Sequence, residues 1–267
     1  MPEQCSPFGM PSTQEMADKK MVDLLVQTIW NRYEAIPSSK RVLISISGIP
    51  GAGKSTLARQ LADKLNRVYL ERGHLSSQSQ STHADLQNPA PHTFAVDIPM
   101  DGFHLSRAQL RAMPDPETAI HRRGAAFTYD ALGYCQLVEQ LSQPINDEQG
   151  EVYAPAFDHA TKDPVADSIR IGRDTRIVIL EGNYVNLDRE PWSAASMLFD
   201  LKLKAAVDRQ IAKQRLVKRH VSSGICPDEA TARHRVESTD DLNAEDILEN
   251  QVEGVISVSL PDRPGSV

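Results

Sequence analysis

Cysteine is scarce in this chain: there are three, Cys5, Cys135 and Cys226, with no close pair among them. An odd number at such spacing argues against a disulfide framework and suits a reducing compartment, so all three are read as free thiols. Positive charge is in deficit, with 29 Lys and Arg against 36 Asp and Glu and a formal charge of -7. That balance disfavours a polyanion as the main partner, so no nucleic acid is expected. No apolar run approaches the roughly 20 residues a membrane helix needs. The N-terminal stretch carries neither a signal-peptide apolar core nor an Arg-rich transit pattern, which leaves the cytosol as the expected location and no membrane as partner. No internal repeat is visible. What is present is 267 residues, enough for one large domain or two small ones whose core needs no staple.

Residues 1–11, with Pro2, Pro7, Gly9 and Pro11, read as a flexible arm. Ser12 and Glu15 offer a capping-box spacing for a helix that ends before Pro37. Val22, Leu25, Val26, Ile29 and Tyr33 recur at helical spacing and predict one buried face. A β-branched strand is predicted over 41–47, and a helix over 57–65 follows the glycine-rich turn directly. Residues 76–92 are mostly Ser, Gln, His, Asn and Pro, and read as a mobile surface insertion. The segment 94–100 reads as a strand, placed at a sheet edge because Pro99 cannot donate to a ladder on both sides. Asp130 is the expected cap of a helix over 130–141. The apolar run 177–180 reads as a strand buried on both faces.

Further strands are predicted over 197–203 and 254–260, with a basic helix over 205–223 and another helix from Pro227, Asp228 and Glu229. Strands alternating with helices imply one doubly wound parallel α/β domain over 12–260, with a lid at 213–237 and a tail at 261–267.

Gly48, Ile49, Pro50, Gly51, Ala52, Gly53, Lys54 and Ser55, followed by Thr56, satisfy the G-x-x-x-x-G-K-[ST] pattern between a predicted strand and a predicted helix. The glycines let successive backbone amides converge on phosphate oxygens, and the helix adds its positive end. Lys54 is expected to reach the β and γ phosphates, and the Ser55 hydroxyl to ligate magnesium. Nucleoside triphosphate, with ATP as the expected species, and Mg2+ are thus the implied cofactors. An N-K-x-D string of the kind that reads guanine in GTPases is missing from the chain.

In parallel α/β sheets, ligands collect beyond the carboxyl ends of the strands. Asp101 lies just past the edge strand and is assigned as general base toward a substrate hydroxyl. Asp97, inside that strand, is the rival base, with a structural role favoured for it. Glu181 follows the buried strand and is assigned to the metal with Ser55. Each carboxylate has a plainer alternative, capping the turn that follows it. From Lys202 to His220 the only acid is Asp208, among Lys202, Lys204, Arg209, Lys213, Arg215, Lys218 and Arg219. Arg215 and Arg219 are four apart and share a helix face, as a pair gripping the transferring phosphoryl group needs; the plain alternative is a solvated face. Ser222, Ser223 and Gly224 read as a hinge for a water-excluding lid. His104, Arg123, Tyr153 and His159 lie in segments read as pocket-building loops and are the candidate acceptor contacts.

On these residues the chain resembles the phosphoribulokinase and uridine kinase family of P-loop kinases, which includes bacterial-type pantothenate kinase. The likeness runs over 41–259. It rests on the phosphate loop, Met100 to His104, Arg123 and Gly124 with Thr128 to Asp130, Tyr153 to His159, Ile179 to Gly182 and Arg215 to His220. By resemblance, the base role falls on Asp101, a substrate contact on His159 and phosphate stabilisation on Arg215. The combination with Asn183, Tyr184, Pro191 and Trp192 is most similar to a branch of fungi and bacteria labelled uridine kinase-like or fructose-kinase-like. Membership implies a parallel sheet of order 2-3-1-4-5. The 76–92 insertion departs from the pattern, and the nucleoside-reading residues of true uridine kinases are not recognised in the chain. The expected activity is ATP-dependent phosphoryl transfer to a hydroxyl of a sugar, nucleoside or pantothenate-like metabolite, with a homodimer left open beside the monomer. The alternative is a nucleotide-dependent switch or slow NTPase acting through a protein partner.

Overall fold

A computed structural model describes residues 13–73, 93–146 and 150–259; the expected arm, the 76–92 insertion and the tail lie outside the described residues. Helix α1 (Thr13–Ala35) buries Val22, Leu25, Val26 and Ile29 along one stripe, adds Trp30, and closes before Pro37. Strand β1 (Val42–Ser47) is buried at all six residues and runs through a glycine turn into α2 (Lys54–Glu71). Strand β2 (Ala95–Pro99) passes through a 3-10 turn (Met100–Phe103) to the short helices α3 (Arg107–Arg111) and α4 (Pro116–His121). Helix α5 (Ala131–Ser142) starts on the Asp130 side chain, which accepts from the Gly133 amide. A hairpin of β3 (Val152–Asp158) and β4 (Asp163–Ile171) precedes β5 (Ile177–Glu181) and α6 (Trp192–Ser196). After β6 (Leu201–Ala206) come α7 (Arg209–Ser222), α8 (Glu229–Arg235), a π-helical turn (Val236–Asp240), α9 (Asp241–Glu249) and β7 (Ile256–Ser259).

Five strands form one parallel sheet ordered β2-β5-β1-β6-β7. With the separate β3–β4 hairpin set aside, this is the 2-3-1-4-5 order that the resemblance implies, with the Pro99 strand at an edge. Both sheet faces are covered. Ile44, Ile46, Ile177 and Ile179 pack into one core with α1 and α2, while Leu43, Val178 and Leu180 pack into a second with α5 and α6. That alternation along parallel strands is why 177–180 reads as uninterrupted apolar sequence. The strand register levels the carboxyl ends: Pro99 lies beside Glu181, and Glu181 beside Ile46. Residues just past these positions therefore face a common volume.

Three segments differ from the sequence reading. Residues 153–158 form a hairpin strand and His159 begins its turn, in place of the expected loop; past Ala154 the burial of β3 does not alternate, and Pro155 and Pro164 hide the pattern. The strand expected over 197–203 begins at Leu201, because Met197 and Leu198 lie exposed after α6. The basic helix starts at Arg209 rather than 205, since Ala205 and Ala206 still belong to β6 and the Asp208 side chain caps the helix by accepting from the Gln210 and Ile211 amides. Among the described residues, no helix is long and apolar enough to cross a membrane. Cys135 and Cys226 are free thiols, and Cys5 lies outside the described residues.

Candidate active site

The turn from β1 to α2 is shaped by glycine. Gly51 has φ 82°, and a Cβ there would lie 2.7 Å from the Ala212 carbonyl oxygen of α7, so both the left-handed backbone and the close approach exclude a side chain. Gly53, at φ 87°, is the cap residue of α2. Beneath the turn, buried polar side chains hold its first residue in place. Ser45 Oγ donates to Asn186 Oδ1 at 2.6 Å, and Asn186 Nδ2 donates to Ser47 Oγ at 3.1 Å and to the Leu203 carbonyl at 3.2 Å. Gln251 Nε2 reaches the same Ser47 hydroxyl at 3.0 Å. Buried polar groups satisfied in this way rigidify what they touch, and Ser47 directly precedes Gly48.

Lys54 stands at the centre of the site. Its Nζ donates to Asn183 Oδ1 at 2.8 Å and to the Ile49 carbonyl at 3.1 Å. Burial lowers its pKa to about 8, opposed by the negative charges of Glu181 and Asp101 and assisted by the positive charge of Arg219. Glu181 is 5% exposed, and burial raises its carboxyl to about 7, opposed by Lys54 and by a hydrogen bond from the Ser55 side chain. Two buried groups of opposite sign are thus both pushed toward their neutral forms. Such a pairing fits a site that receives further charge from a ligand.

Asp101 sits in the 3-10 turn after β2, exposed, with Oδ1 accepting from the Tyr129 hydroxyl at 3.4 Å and lying 3.6 Å from His104 Nε2. Burial lowers His104 to about 4, which keeps its imidazole neutral. Asp97 lies inside β2, half-buried, with its carboxyl raised by burial, and is not part of the turn that carries Asp101. Arg215 donates to the Gly51 carbonyl at 3.3 Å, and Arg219, one helical turn on, acts electrostatically on Lys54. Arg215 thus contacts the glycine turn, while exposed Arg219 lies within electrostatic reach of Lys54.

Three other basic groups of α7 are committed elsewhere. Arg209 and Lys213 both pair with Asp241 of α9, at 2.6 Å and 2.9 Å, and His220 Nε2 lies 2.8 Å from Asp240. These acids answer part of the basic excess seen in the sequence. The segment read as a hinge, Ser222 to Gly224, joins α7 to α8 across a small shared core of Leu216, Val217, Cys226, Ala232 and Val236.

The four candidate acceptor contacts fall in different settings. His104 is half-buried beside Asp101. Arg123 is braced by protein: it donates to the Lys162 carbonyl at 2.6 Å, the Leu105 carbonyl at 2.9 Å and Asp163 at 3.2 Å. Tyr153 is exposed, with its hydroxyl on Glu151 at 2.7 Å, and His159 is exposed in the hairpin turn, its ring 5.3 Å from that of Phe157. His104, Arg123 and His159 all lie against the Phe157 ring, at 5.2, 5.5 and 5.3 Å, whereas Tyr153 is held by Glu151. Sequence reasoning missed Asn183 and Tyr129. Both lie beside residues it singled out, Glu181 and Asp130, and each looked like a neighbour of the signal rather than part of it.

No protein-family model matches the chain. Among curated proteins, it is 56% identical over 153 residues to the ATP-dependent kinase-like protein notR' of Aspergillus versicolor, covering 57% of this chain and 89% of that one. It is 37% identical over 225 residues to the Schizosaccharomyces pombe protein C227.14, provisionally named a uridine kinase, covering 84% and 86% respectively. Among solved structures, YFH7 of Saccharomyces cerevisiae superimposes with a TM-score of 0.76 at 25% identity, covering 92% of this chain and 99% of that one. A kinase of Silicibacter sp. TM1040, provisionally assigned to a fructose transport system, gives a TM-score of 0.70 at 27% identity, covering 89% and 98%.

Proposed function

This chain belongs to the uridine kinase-like family of P-loop kinases, and from that membership we propose that it transfers the γ-phosphoryl group of ATP to a hydroxyl of a small polyhydroxylated metabolite. It is an ATP-dependent small-molecule kinase, as its relatives are named. The finer reading assigns the roles within the site. The observation that carries it is the position of Lys54, whose ammonium lies in the fields of both Glu181 and Asp101 beside the glycine turn. This supports reading Lys54 as the phosphate-binding lysine, with a buried and an exposed carboxylate in electrostatic reach past the strand ends.

In this reading, the amides of Gly48 to Thr56 and the Lys54 ammonium hold the triphosphate tail, while Arg215 and Arg219 take up negative charge that spreads over the transferring group. The acceptor oxygen forms a bond to the γ phosphorus as the bond from phosphorus to the β–γ bridging oxygen breaks, and ADP leaves. The proton of the acceptor hydroxyl passes to the Asp101 carboxylate. The hydrogen-bonded Ser55 hydroxyl and Glu181 carboxyl are an oxygen-only donor pair, which fits magnesium, an ion that takes one or two protein oxygens and completes its shell with phosphate and water. Among the described residues no cluster of three or more His, Cys, Asp or Glu offers a dedicated metal cage, which agrees with that mode of binding. Once bound, the ion would supply neutralisation of phosphate charge.

His104, beside Asp101, is the acceptor contact best supported by position, with His159, Tyr153 and Arg123 further along the hairpin side. The names of the relatives favour a sugar or nucleoside, and pantothenate-like acceptors share the same chemistry of several hydroxyl groups. The test is a phosphorylation screen with magnesium ATP and a metabolite panel that includes uridine, D-fructose and pantothenate, read by mass detection of product. One acceptor should gain a single phosphoryl group and speed ADP release. ATP turnover that ignores the whole panel and responds only to an added protein would overturn the proposal in favour of a nucleotide-dependent switch.

A further inference from the structure

We propose that Tyr129 is a positioning residue for the reaction, its hydroxyl fixing one oxygen of the Asp101 carboxylate so that the other is presented to the acceptor. The inference rests on the reading of Asp101 as the base and adds a residue to it.

The geometry is set first by backbone. His104 and Tyr129 form an antiparallel bridge, flanked by the Asp130 amide donating to the Phe103 carbonyl at 2.7 Å and the Leu105 amide donating to the Thr128 carbonyl at 2.9 Å. The turn that carries Asp101 and the segment that carries Tyr129 are therefore joined, and their side chains start from fixed points. The Tyr129 ring is buried and wedged among three others: stacked on His104 at 4.1 Å, and edge-on to Tyr184 at 5.7 Å and to Trp192 at 6.2 Å. A phenol held in this way has no freedom to follow the carboxylate, so the exposed carboxylate must come to it. Its hydroxyl meets Asp101 Oδ1 at 3.4 Å, and His104 Nε2 approaches the same oxygen at 3.6 Å. Among the described residues no hydrogen bond falls on Oδ2.

Both neighbours of Oδ1 are neutral groups. Burial pushes the Tyr129 phenol well above its ordinary value and holds the His104 imidazole unprotonated. A cation in either place would fix the carboxylate equally well but would stabilise its charged form strongly, which weakens a base. A neutral donor orients at less cost to basicity, so a buried tyrosine suits this position.

The test is a double-mutant cycle on the full chain, Tyr129→Phe and Asp101→Ala singly and together. The readout is ADP release under whichever of water, uridine and D-fructose gives the fastest turnover, with thermal melting with and without ATP. Tyr129→Phe keeps the ring and its packing, so it should melt within about 3 °C of wild type and keep its stabilisation by ATP. It should lower kcat about tenfold, the lower end for loss of a hydrogen bond to a charged group, with KM for ATP unchanged. In the Asp101→Ala background the same change should cost nothing further. Equal losses in both backgrounds, or none in either, would overturn the positioning role. Near-normal turnover in Asp101→Ala alone would instead remove the base on which the inference rests. Should Tyr129→Phe melt far below wild type, Trp192→Phe, at the ring edge-on to Tyr129, is the second arm. By altering the support of Tyr129 without touching its hydroxyl, it should lower kcat only while Asp101 is present, and an equal loss without Asp101 counts against the proposal.

Discussion

Gly102→Ala is the change whose consequence follows most directly from the coordinates. Gly102 lies next to Asp101, and its φ is not in the left-handed region, so alanine can adopt its backbone conformation. The obstacle is space: a Cβ there would stand 2.2 Å from the Pro155 carbonyl oxygen and 2.6 Å from its carbon. The approach is about 1 Å short of an ordinary contact, and the atoms it meets are backbone. Strand β3 cannot easily yield, because Val152 and Ala154 are buried in the second core and the strand pairs with β4 on both sides of the irregularity at Pro155. The 3-10 turn that carries Asp101 must therefore move by roughly that distance. Overpacking of this kind costs about 1–3 kcal/mol, or roughly 3–10 °C in melting temperature for a chain of this size. An ångström of misplacement at a reacting group costs up to about a hundredfold in kcat. The glycine turn between β1 and α2 does not touch Gly102, so stabilisation by ATP should persist. Melting curves with and without ATP, and ADP release with the best panel acceptor, measure all three quantities. A Gly102→Ala protein with wild-type melting and kcat within twofold of wild type would refute the argument that the hairpin fixes the base.

Lys54→Ala should abolish both turnover and the ATP-dependent rise in melting temperature; an undiminished rise would show that the triphosphate is held elsewhere. Arg215→Ala should lower kcat about hundredfold while the protein melts near wild type, and a change in ATP binding alone would assign Arg215 to ground-state contact. Glu181 gives a pH signature in the ligand-free protein with chelator present. Its folded pKa of about 7 lies above the ordinary carboxyl value of 4.5, so its contribution to stability is present below the unfolded value and is lost as pH rises through 7. Glu181→Gln cannot ionise, so its melting temperature should gain on wild type between pH 5 and pH 8 by on the order of 5 °C. A constant offset across that range would mean that the carboxyl is not held neutral by burial.

The phosphate-loop strand and helix were legible because glycine spacing, β-branched sequence before it and apolar periodicity after it all describe one local arrangement. Pro99 marked the edge strand for a similar reason, since a missing amide is a property of the residue itself. The β3–β4 hairpin was not legible, because apart from buried Val152, Ala154 and Ile171 its residues are half-exposed or exposed, and it is held by cross-strand pairing that leaves no period in the sequence. Basic α7 was legible as a helix but not in its charge pairing. Which arginines stay near the glycine turn depends on where α9 places Asp241, a fact of tertiary structure. Arg123 illustrates the same limit from the other side: it looked free to bind a ligand, yet three protein acceptors hold it. Tyr129 was hidden because an aromatic beside a helix cap reads as core, and only the fold puts its hydroxyl on Asp101.

The most direct measurement is a crystal structure of the chain with magnesium and a non-hydrolysable ATP analogue. The account requires the terminal phosphate to rest on the amides of Gly48 to Thr56 and Lys54, with Asp101 Oδ2 facing it across a gap that admits one hydroxyl group. A terminal phosphate bound away from Lys54, or an Asp101 carboxylate turned from it with protein filling the gap, would contradict phosphoryl transfer at this site.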